Sequence, residues 1–180
     1  MFAMNFLLIH GFNGSPNDIF FPLLTTELNQ YGQVNAPELP NPSSPTEKEQ
    51  LAAILKQSIT KDTIIIGHSL GAVVALKTVE KLNHSIKALI LVGGFLSPKF
   101  RDKKRPFEKT FDWNFDFEKI KKNAQKIIVL SAKNDYAIPI EQGRLMAEKL
   151  GATLIETNAE EPHFTADKEP QIMNAVRLIL

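Results

Sequence analysis

Four short runs of consecutive apolar residues constrain the possible folds of this chain more than any other feature. Their apolar residues follow one another instead of alternating with polar ones, which is typical of strands buried on both faces of a parallel sheet. The runs occupy residues 6–10, 63–67, 88–92 and 127–131. Two weaker strand candidates lie at residues 33–36 and 152–156.

Patterns of helical length separate these runs. They cover residues 17–31, 46–58, 70–82, 140–150 and 167–180. Thr46 with Glu49 three residues later is a capping box that marks a helix start, and Gly151 is a stop signal. Pro170 is compatible only with the first turn of the last helix. The alternation of strands and helices predicts a doubly wound parallel α/β sheet with helices on both faces, in one domain over residues 1–180.

Composition excludes several classes of function. The net charge of the 180 residues is +1, which argues against a nucleic-acid or membrane partner recruited by bulk charge. No apolar run is long enough to span a bilayer, and the apolar N-terminus lacks a basic segment, so we interpret it as a strand and not as a signal peptide. The chain has no cysteine. This excludes disulfides and thiolate catalysis, and it fits a cytoplasmic location.

The second strong run continues into the sequence GHSLG at residues 67–71, a G-x-S-x-G pattern. A strand before it and a helix after it are the context in which this pattern forms a nucleophile elbow. The serine then lies on a sharp, strained turn, with its Oγ exposed at the carboxyl edge of the sheet and the helix dipole directed at it. Ser69 is therefore the candidate nucleophile, and the alternative is a polar turn residue between strand and helix.

A serine hydroxyl needs a base and the base needs an orienting acid, which in this context follow the serine in the order Asp or Glu, then His. Asp135 follows the fourth strong run, at the end of a strand where binding residues gather in open parallel sheets. The alternative for Asp135 is a turn or helix-capping residue. His163, in the loop before the last helix, is the candidate base, and the alternative is a surface histidine. His10 and His68 come too early in the chain order.

Two N–H donors are expected to stabilise the oxyanion of a tetrahedral intermediate. One is the backbone N–H of Leu70, the residue after the candidate nucleophile. The other comes from the loop after the first strand, where the N–H of Phe12 is the candidate. Gly11 and Gly14 allow this loop to turn tightly. His10 either braces the loop or is a buried structural histidine.

Four stretches together resemble the small, cap-poor α/β-hydrolases, and more closely the retinoblastoma-binding serine hydrolase family and its bacterial relatives. They are IHGFNGSP, IIIGHSLGAVVAL, LSAKNDYAIP and the terminal PHF, and the resemblance extends from Phe6 to the last helix. It implies a six-stranded parallel sheet and a Ser-Asp-His triad that falls on Ser69, Asp135 and His163. Such sequences often have Gly before the catalytic His. This chain has Pro162, whose fixed φ is expected to stiffen the loop.

Residues 95–123 are too few for the helical cap domain that larger α/β-hydrolases insert at this place, so we expect a site that is open to solvent. The stretch is rich in aromatic rings, namely Phe107, Phe111, Trp113, Phe115 and Phe117. Two interpretations remain open. The rings pack the segment onto the domain, or some of them, including Trp113, form an apolar acyl pocket with Phe12 and Phe95.

Together these features predict a cytoplasmic serine hydrolase that cleaves small carboxylic esters or amides through an acyl-enzyme on Ser69. An acyltransferase, which shares the acyl-enzyme, and a catalytically weak binding module with the same fold are the alternatives. We expect no cofactor and no metal, because no ligand cluster is visible in the sequence. The expected partner is a small-molecule ester, not nucleic acid or a membrane. The sequence identifies no protein partner.

Overall fold

The computed structural model describes residues 4–180 and contains one sheet of six parallel strands. The strands are β1 (Met4–Ile9), β2 (Gly32–Asn35), β3 (Thr63–His68), β4 (Ala88–Val92), β5 (Ile127–Ala132) and β6 (Thr153–Thr157). Their order across the sheet is β2-β1-β3-β4-β5-β6. Every predicted strand is present, with bounds within two residues of the prediction. The parallel α/β class is therefore confirmed.

Residues 4–180 contain six helices, of which five connect successive strands and the last follows β6. They are α1 (Phe21–Leu28), α2 (Glu47–Leu55), α3 (Leu70–Lys81), α4 (Phe117–Asn123), α5 (Ile140–Leu150) and α6 (Pro170–Arg177). Two short 3-10 turns, Pro98–Phe100 and Pro106–Lys109, precede α4. None of these helices combines the length and the apolar character that a membrane crossing requires.

The sheet has an apolar layer on each face. Side chains of α2, α3, α4 and α5 form one layer, and those of α1 and α6 form the other. Along β3 the side chain of Ile65 points into the first layer, whereas Ile64 and Ile66 point into the second. A strand covered in this way needs an apolar residue at every position, which is why the apolar runs do not alternate.

The expected helix signals act as predicted at three helix ends. The hydroxyl of Thr46 accepts a hydrogen bond from the N–H of Glu49 (3.3 Å) and so caps α2, while the Glu49 carboxylate accepts from this hydroxyl (2.8 Å) and not from the backbone N–H that a full capping box uses. Gly151 closes α5 with a φ of 59°, in the left-handed region that favours glycine. Pro170 is the first residue of α6, where its missing N–H costs nothing.

The first helix is shorter than the predicted 17–31, and one helix was not predicted. Ile19 has a φ of 49°, which interrupts a right-handed helix, so α1 begins only at Phe21. The additional helix α4 begins after Asp116, whose carboxylate accepts a hydrogen bond from the N–H of Lys119 (3.0 Å). This N-cap lies in the aromatic-rich stretch, whose apolar pattern did not indicate the start of a helix.

The last helix is also shorter than the predicted 167–180, because a buried carboxylate organises the chain before it. Glu169 is only 5% exposed. It accepts hydrogen bonds from the N–H groups of Glu160 (2.9 Å), Glu161 (3.2 Å) and Ala166 (3.2 Å). These bonds hold the loop between β6 and α6 in a compact arrangement, so the helix starts one residue after Glu169.

Gly143→Ala tests the fit of α5 against β5. A Cβ at position 143 would lie 1.8 Å from the Oγ of Ser131, so the helix or the side chain must move. We expect the free energy of unfolding to fall by about 1–3 kcal/mol in a urea titration. Adding Ser131→Gly should recover part of this loss, since it removes the atoms in the way. A Gly143→Ala variant as stable as the wild type would contradict the tight contact.

Candidate active site

Ser69 lies between the end of β3 and the start of α3, in a backbone conformation that few side-chain-bearing residues adopt. Its φ is 57° and its ψ is −122°. Its N–H donates to the carbonyl of Val92 on the neighbouring strand (2.9 Å), and its carbonyl accepts from the N–H of Ala72 in α3 (3.0 Å). The strained turn is thus tied on one side to the sheet and on the other to the helix.

The glycines that flank Ser69 allow the strand and the helix to approach each other. A Cβ on Gly67 would lie 2.4 Å from the carbonyl oxygen of Gly71, and one on Gly71 would lie 2.2 Å from that of Ile9. Because both atoms in the way belong to the backbone, neither position admits a side chain without moving a strand or the helix. The GHSLG spacing is therefore a packing requirement of this turn.

Asp135 lies in the loop after β5, and its carboxylate is fully engaged. Oδ1 accepts hydrogen bonds from the N–H groups of Ala137 (2.8 Å) and Ile138 (2.9 Å). Oδ2 lies 2.7 Å from Nδ1 of His163, and the Asp135 side chain is 2% exposed. A carboxylate accepts, so His163 carries its proton on Nδ1 and leaves Nε2 free to take another.

His163 occupies a tight turn that is held by its own backbone and by its neighbour. The φ angles of His163 and Phe164 are 64° and 55°. The Phe164 side chain is fully buried, and its N–H donates to the carbonyl of Glu161 (3.0 Å). Pro162, which stands where the family often has Gly, does not prevent the contact of His163 with Asp135. The absence of a side chain at Gly93 leaves room for the His163 ring, since a Cβ at that position would lie 3.4 Å from it.

His68 contacts both the backbone and the ring of His163, and reasoning from the sequence did not predict this supporting role. Its Nε2 donates to the carbonyl oxygen of His163 (2.8 Å), and the two ring centroids are 4.9 Å apart. Phe20 and Phe21 pack edge-on against the His68 ring. Chain order excluded His68 as a base, but its place directly before Ser69 was the signal that it lies within the site.

Burial keeps His68 neutral. Burial, helped by the nearby His163, lowers the pKa of His68 to about 3. A neutral ring with its proton on Nε2 is the form that donates to the His163 carbonyl. His68 therefore holds the loop of His163 without competing for the proton of Ser69.

The two candidate oxyanion donors have no acceptor in the part of the chain that the structure describes. Neither the N–H of Phe12 nor that of Leu70 donates to another protein group in residues 4–180. The loop of Phe12 is fixed by His10, whose Nε2 accepts from the N–H of Leu39 (3.1 Å) and whose Nδ1 donates to the carbonyl of Gly11 (3.0 Å). His10 is 3% exposed, and burial lowers its pKa, so it is both buried and a brace for the loop.

A pocket of about 310 Å³ opens at Ser69. Its wall includes Phe12, Phe21, His68, His163 and Thr165. The structure therefore brings Ser69, His163 and Phe12 to one cavity, with Asp135 behind His163.

The structure does not bring Phe95 and Trp113 into this pocket. Phe95 is completely buried, and its ring stacks on that of Trp113 at 5.7 Å. The indole N–H of Trp113 donates to the carbonyl of Glu108 (2.9 Å). Phe107 lies between this pair and Phe12, with its ring centroid 5.2 Å from that of Phe12. Of the two interpretations of the aromatic stretch, this geometry favours packing of the segment onto the domain.

Among residues 4–180 there is no group of three or more His, Asp or Glu side chains placed to hold a metal ion. The expectation that no cofactor takes part stays a prediction.

His68 should keep a neutral ring well below pH 6.5. Its pKa in the folded protein lies below the value near 6.5 of an unfolded chain, so its contribution to stability is complete above about pH 6.5 and is lost as the pH falls towards 3. The ring signals of His68 in NMR spectra should therefore show no titration between pH 7 and about 4. The unfolding free energy of His68→Phe should also depend less on pH than that of the wild type. Titration of the His68 signals near pH 6.5 would contradict its burial.

Comparison with known proteins relates the whole chain to one family. The sequence profile of the family described as serine hydrolase matches residues 6–177. Over 121 residues, 66% of this chain, the sequence is 31% identical to serine hydrolase RBBP9 of Rattus norvegicus. The aligned part spans 61% of the length of that relative.

Solved structures show the same architecture. The ydeN gene product of B. subtilis superposes with a TM-score of 0.88 at 25% identity, over 98% of both chains. Est1E from Butyrivibrio proteoclasticus, in its complex with ferulic acid, has a TM-score of 0.74 at 16% identity, over 98% of this chain and 87% of its own. The second likeness shows the fold alone. The matches of profile, sequence and fold agree, and the chain belongs to the serine hydrolase family.

Proposed function

We propose that the protein hydrolyses small carboxylic esters through an acyl-enzyme on Ser69. The observation that carries the proposal is the arrangement of Ser69 and His163 on one pocket, with Nδ1 of His163 hydrogen bonded to the buried carboxylate of Asp135. A nucleophile on a strained elbow, a base with a free Nε2 and an acid that fixes its tautomer are the parts that acyl transfer requires. The family and the name of the rat relative support the same class of reaction.

In the proposed reaction Oγ of Ser69 attacks the ester carbonyl while Nε2 of His163 takes the hydroxyl proton. The carbonyl oxygen becomes an oxyanion, which the N–H groups of Phe12 and Leu70 stabilise. Collapse of the intermediate breaks the bond to the alcohol, which leaves with the proton from His163. Water then gives its proton to His163, attacks the acyl carbon and releases the carboxylic acid, and Ser69 recovers its proton.

The proposed proton transfer requires a small adjustment at the site. In residues 4–180 His163 is hydrogen bonded to Asp135, but no hydrogen bond joins it to the hydroxyl of Ser69. Such contacts are often long in the free enzyme and shorten when substrate is bound. Because the backbone of His163 is held by His68, the change is expected in the side chains of Ser69 and His163.

The cavity supports the small size of the proposed substrate. Its volume of about 310 Å³ is at the lower end of the range for small-molecule sites. Phe12 and Phe21 supply apolar surface beside Ser69, which suits a short acyl chain. A cytoplasmic location, the absence of a cofactor and the absence of a nucleic-acid or membrane partner stay predictions.

Ser69→Ala should abolish both covalent labelling by a fluorophosphonate probe and hydrolysis of para-nitrophenyl acetate. Loss of the nucleophile is expected to lower kcat/KM by at least about 10⁴-fold, as in other enzymes with such a triad. Ser58→Ala, at an exposed serine, is the matched control and should react like the wild type. Turnover by Ser69→Ala at the wild-type rate would refute the nucleophile. Absence of labelling in the wild type would favour a binding module, and transfer of the acyl group to an added alcohol in preference to water would favour an acyltransferase.

His68→Phe should lower kcat by roughly 10- to 100-fold with little change in KM, because a base displaced by a fraction of an ångström transfers protons poorly. The substitution keeps an aromatic ring next to Phe20 and Phe21 but removes the donor to the His163 carbonyl. The rate of fluorophosphonate labelling should fall in parallel. The control is Phe20→Leu, which trims the same packing on His68, lies outside the wall of the pocket and leaves the hydrogen bond in place. Equal kcat in His68→Phe and the wild type would remove His68 from the positioning of His163.

A further inference from the structure

A second groove lies next to the proposed site and is lined by positive charge. It has a volume of about 300 Å³, and its wall includes Phe100, Arg101, Lys103, Arg105 and Tyr136. Tyr136 directly follows Asp135 in the chain, so the groove begins beside the acid of the proposed triad. Within residues 101–105 four side chains are cationic and one, Asp102, is anionic.

The guanidinium of Arg101 is held in this groove without a partner. It lies over three aromatic rings, with its central carbon 5.4 Å from the ring centroid of Phe95, 5.2 Å from that of Phe100 and 5.8 Å from that of Phe107. Within residues 4–180 it forms no ion pair, and its Nε is buried without a hydrogen-bond acceptor. A buried donor without an acceptor is rare in folded proteins and calls for an explanation.

Arg105 connects the groove to the pocket at Ser69. Its guanidinium lies 5.6 Å from the ring centroid of Phe12, the residue that lines the pocket and carries a proposed oxyanion donor. The nearby carboxylate of Glu108 accepts from the backbone N–H of Arg105 (2.8 Å), and within residues 4–180 it forms no ion pair with the guanidinium. The carboxylate of Asp135 is likewise occupied by His163 and two backbone N–H groups.

We propose that this groove binds a carboxylate of the substrate, so that the preferred esters carry a negative charge on the acyl or the alcohol part. The inference rests on the proposed esterase function and adds the substrate class. The planar guanidinium of Arg101 presents donors in the geometry that a carboxylate accepts, and the rings beneath it hold that plane in place. Arg105 adds a second positive charge beside Phe12.

The electrostatics of Arg101 agree with an anion in the groove. Burial lowers the pKa of the Arg101 guanidinium and the positive charge of Arg105 lowers it further, whereas the negative charges of Glu108 and Asp135 offset only part of these effects. A bound carboxylate would offset both effects, because it supplies acceptors for the buried donors and a negative charge between two positive ones. The simpler explanation is that both arginines only pack on the rings and remain hydrated.

Two matched pairs of esters separate these explanations and locate the charge. In the first pair the charge lies on the alcohol part: para-acetoxybenzoate is the anionic ester, and its methyl ester is the neutral partner. In the second pair the charge lies on the acyl part: the para-nitrophenyl monoester of adipic acid is the anionic ester, and para-nitrophenyl hexanoate is the neutral partner. The measured quantity is the ratio of kcat/KM for the anionic ester to that for its neutral partner. From the wild type to Arg101→Met, this ratio should fall roughly tenfold in at least one pair, the loss expected for a charge-assisted hydrogen bond. The pair that responds identifies the part of the substrate that carries the carboxylate.

Variants of the groove and a distant control complete the test. Arg101→Met keeps apolar contact with the rings, so hydrolysis of the neutral esters should be nearly unchanged. Arg101→Lys keeps the charge without the planar donor set and should retain only part of the preference. Lys149→Gln, which removes a charge on the exposed side of α5, should leave the ratio as in the wild type. The same ratio in Arg101→Met, Arg105→Met and the wild type for both pairs would overturn the proposal.

Failure of the carboxylate site can be distinguished from failure of the proposed esterase function. Hydrolysis of the neutral esters and labelling of Ser69 by the fluorophosphonate test the esterase, and neither depends on the groove. Should neutral esters be cleaved while the ratio does not change in the variants, the esterase stands and the carboxylate site is refuted. Should no ester be cleaved, protection of Ser69 from labelling by added adipate, in wild type but not in Arg101→Met, still tests the groove. Equal labelling with and without adipate would then refute it.

Discussion

The close contact of helix α3 with strands β1 and β3 is the constraint on which the rest of the site depends. Gly67 and Gly71 bring the backbones so near to each other that the chain must turn within one residue, and Ser69 takes a positive φ as a result. Such strain costs about 1–3 kcal/mol. The buried apolar side chains of α3 offset it, since burial of one Val or Leu contributes roughly 1.5–3 kcal/mol. The core therefore holds the proposed nucleophile in a conformation that an isolated peptide would leave.

Contacts between distant parts of the chain set the place of His163. Its ring is bonded to Asp135, 28 residues earlier, and its carbonyl to His68, 95 residues earlier. Glu169, on the other side, holds the start of the same loop through backbone N–H groups. The sheet brings these groups to one edge because parallel strands end at the same side. An error in strand order would therefore separate the proposed base from its acid.

The segment between β4 and β5 divides its side chains by polarity. Phe95 and Phe107 turn inwards and extend the core, whereas Arg101 lies over their rings and Arg105 over that of Phe12. A charge over an apolar layer is less screened than one in bulk water, so a few residues there can act on a bound ligand more strongly than the net charge of the chain suggests. A short segment thus takes the place that a helical cap has in larger relatives and leaves the pocket at Ser69 open.

The strands, the parallel sheet and the position of the elbow could be predicted from the order of the residues. These features depend on residues that are neighbours in the chain, since burial on both faces demands an apolar run and a one-residue turn demands flanking glycines. Chain order was enough to select Asp135 and His163 as candidates. The hydrogen bond from His68 to the backbone of His163, and the packing of Trp113 away from the pocket, became evident only in the folded chain. Both depend on contacts between remote residues, which form only when helices and loops pack on the sheet and which leave no periodic pattern in the sequence.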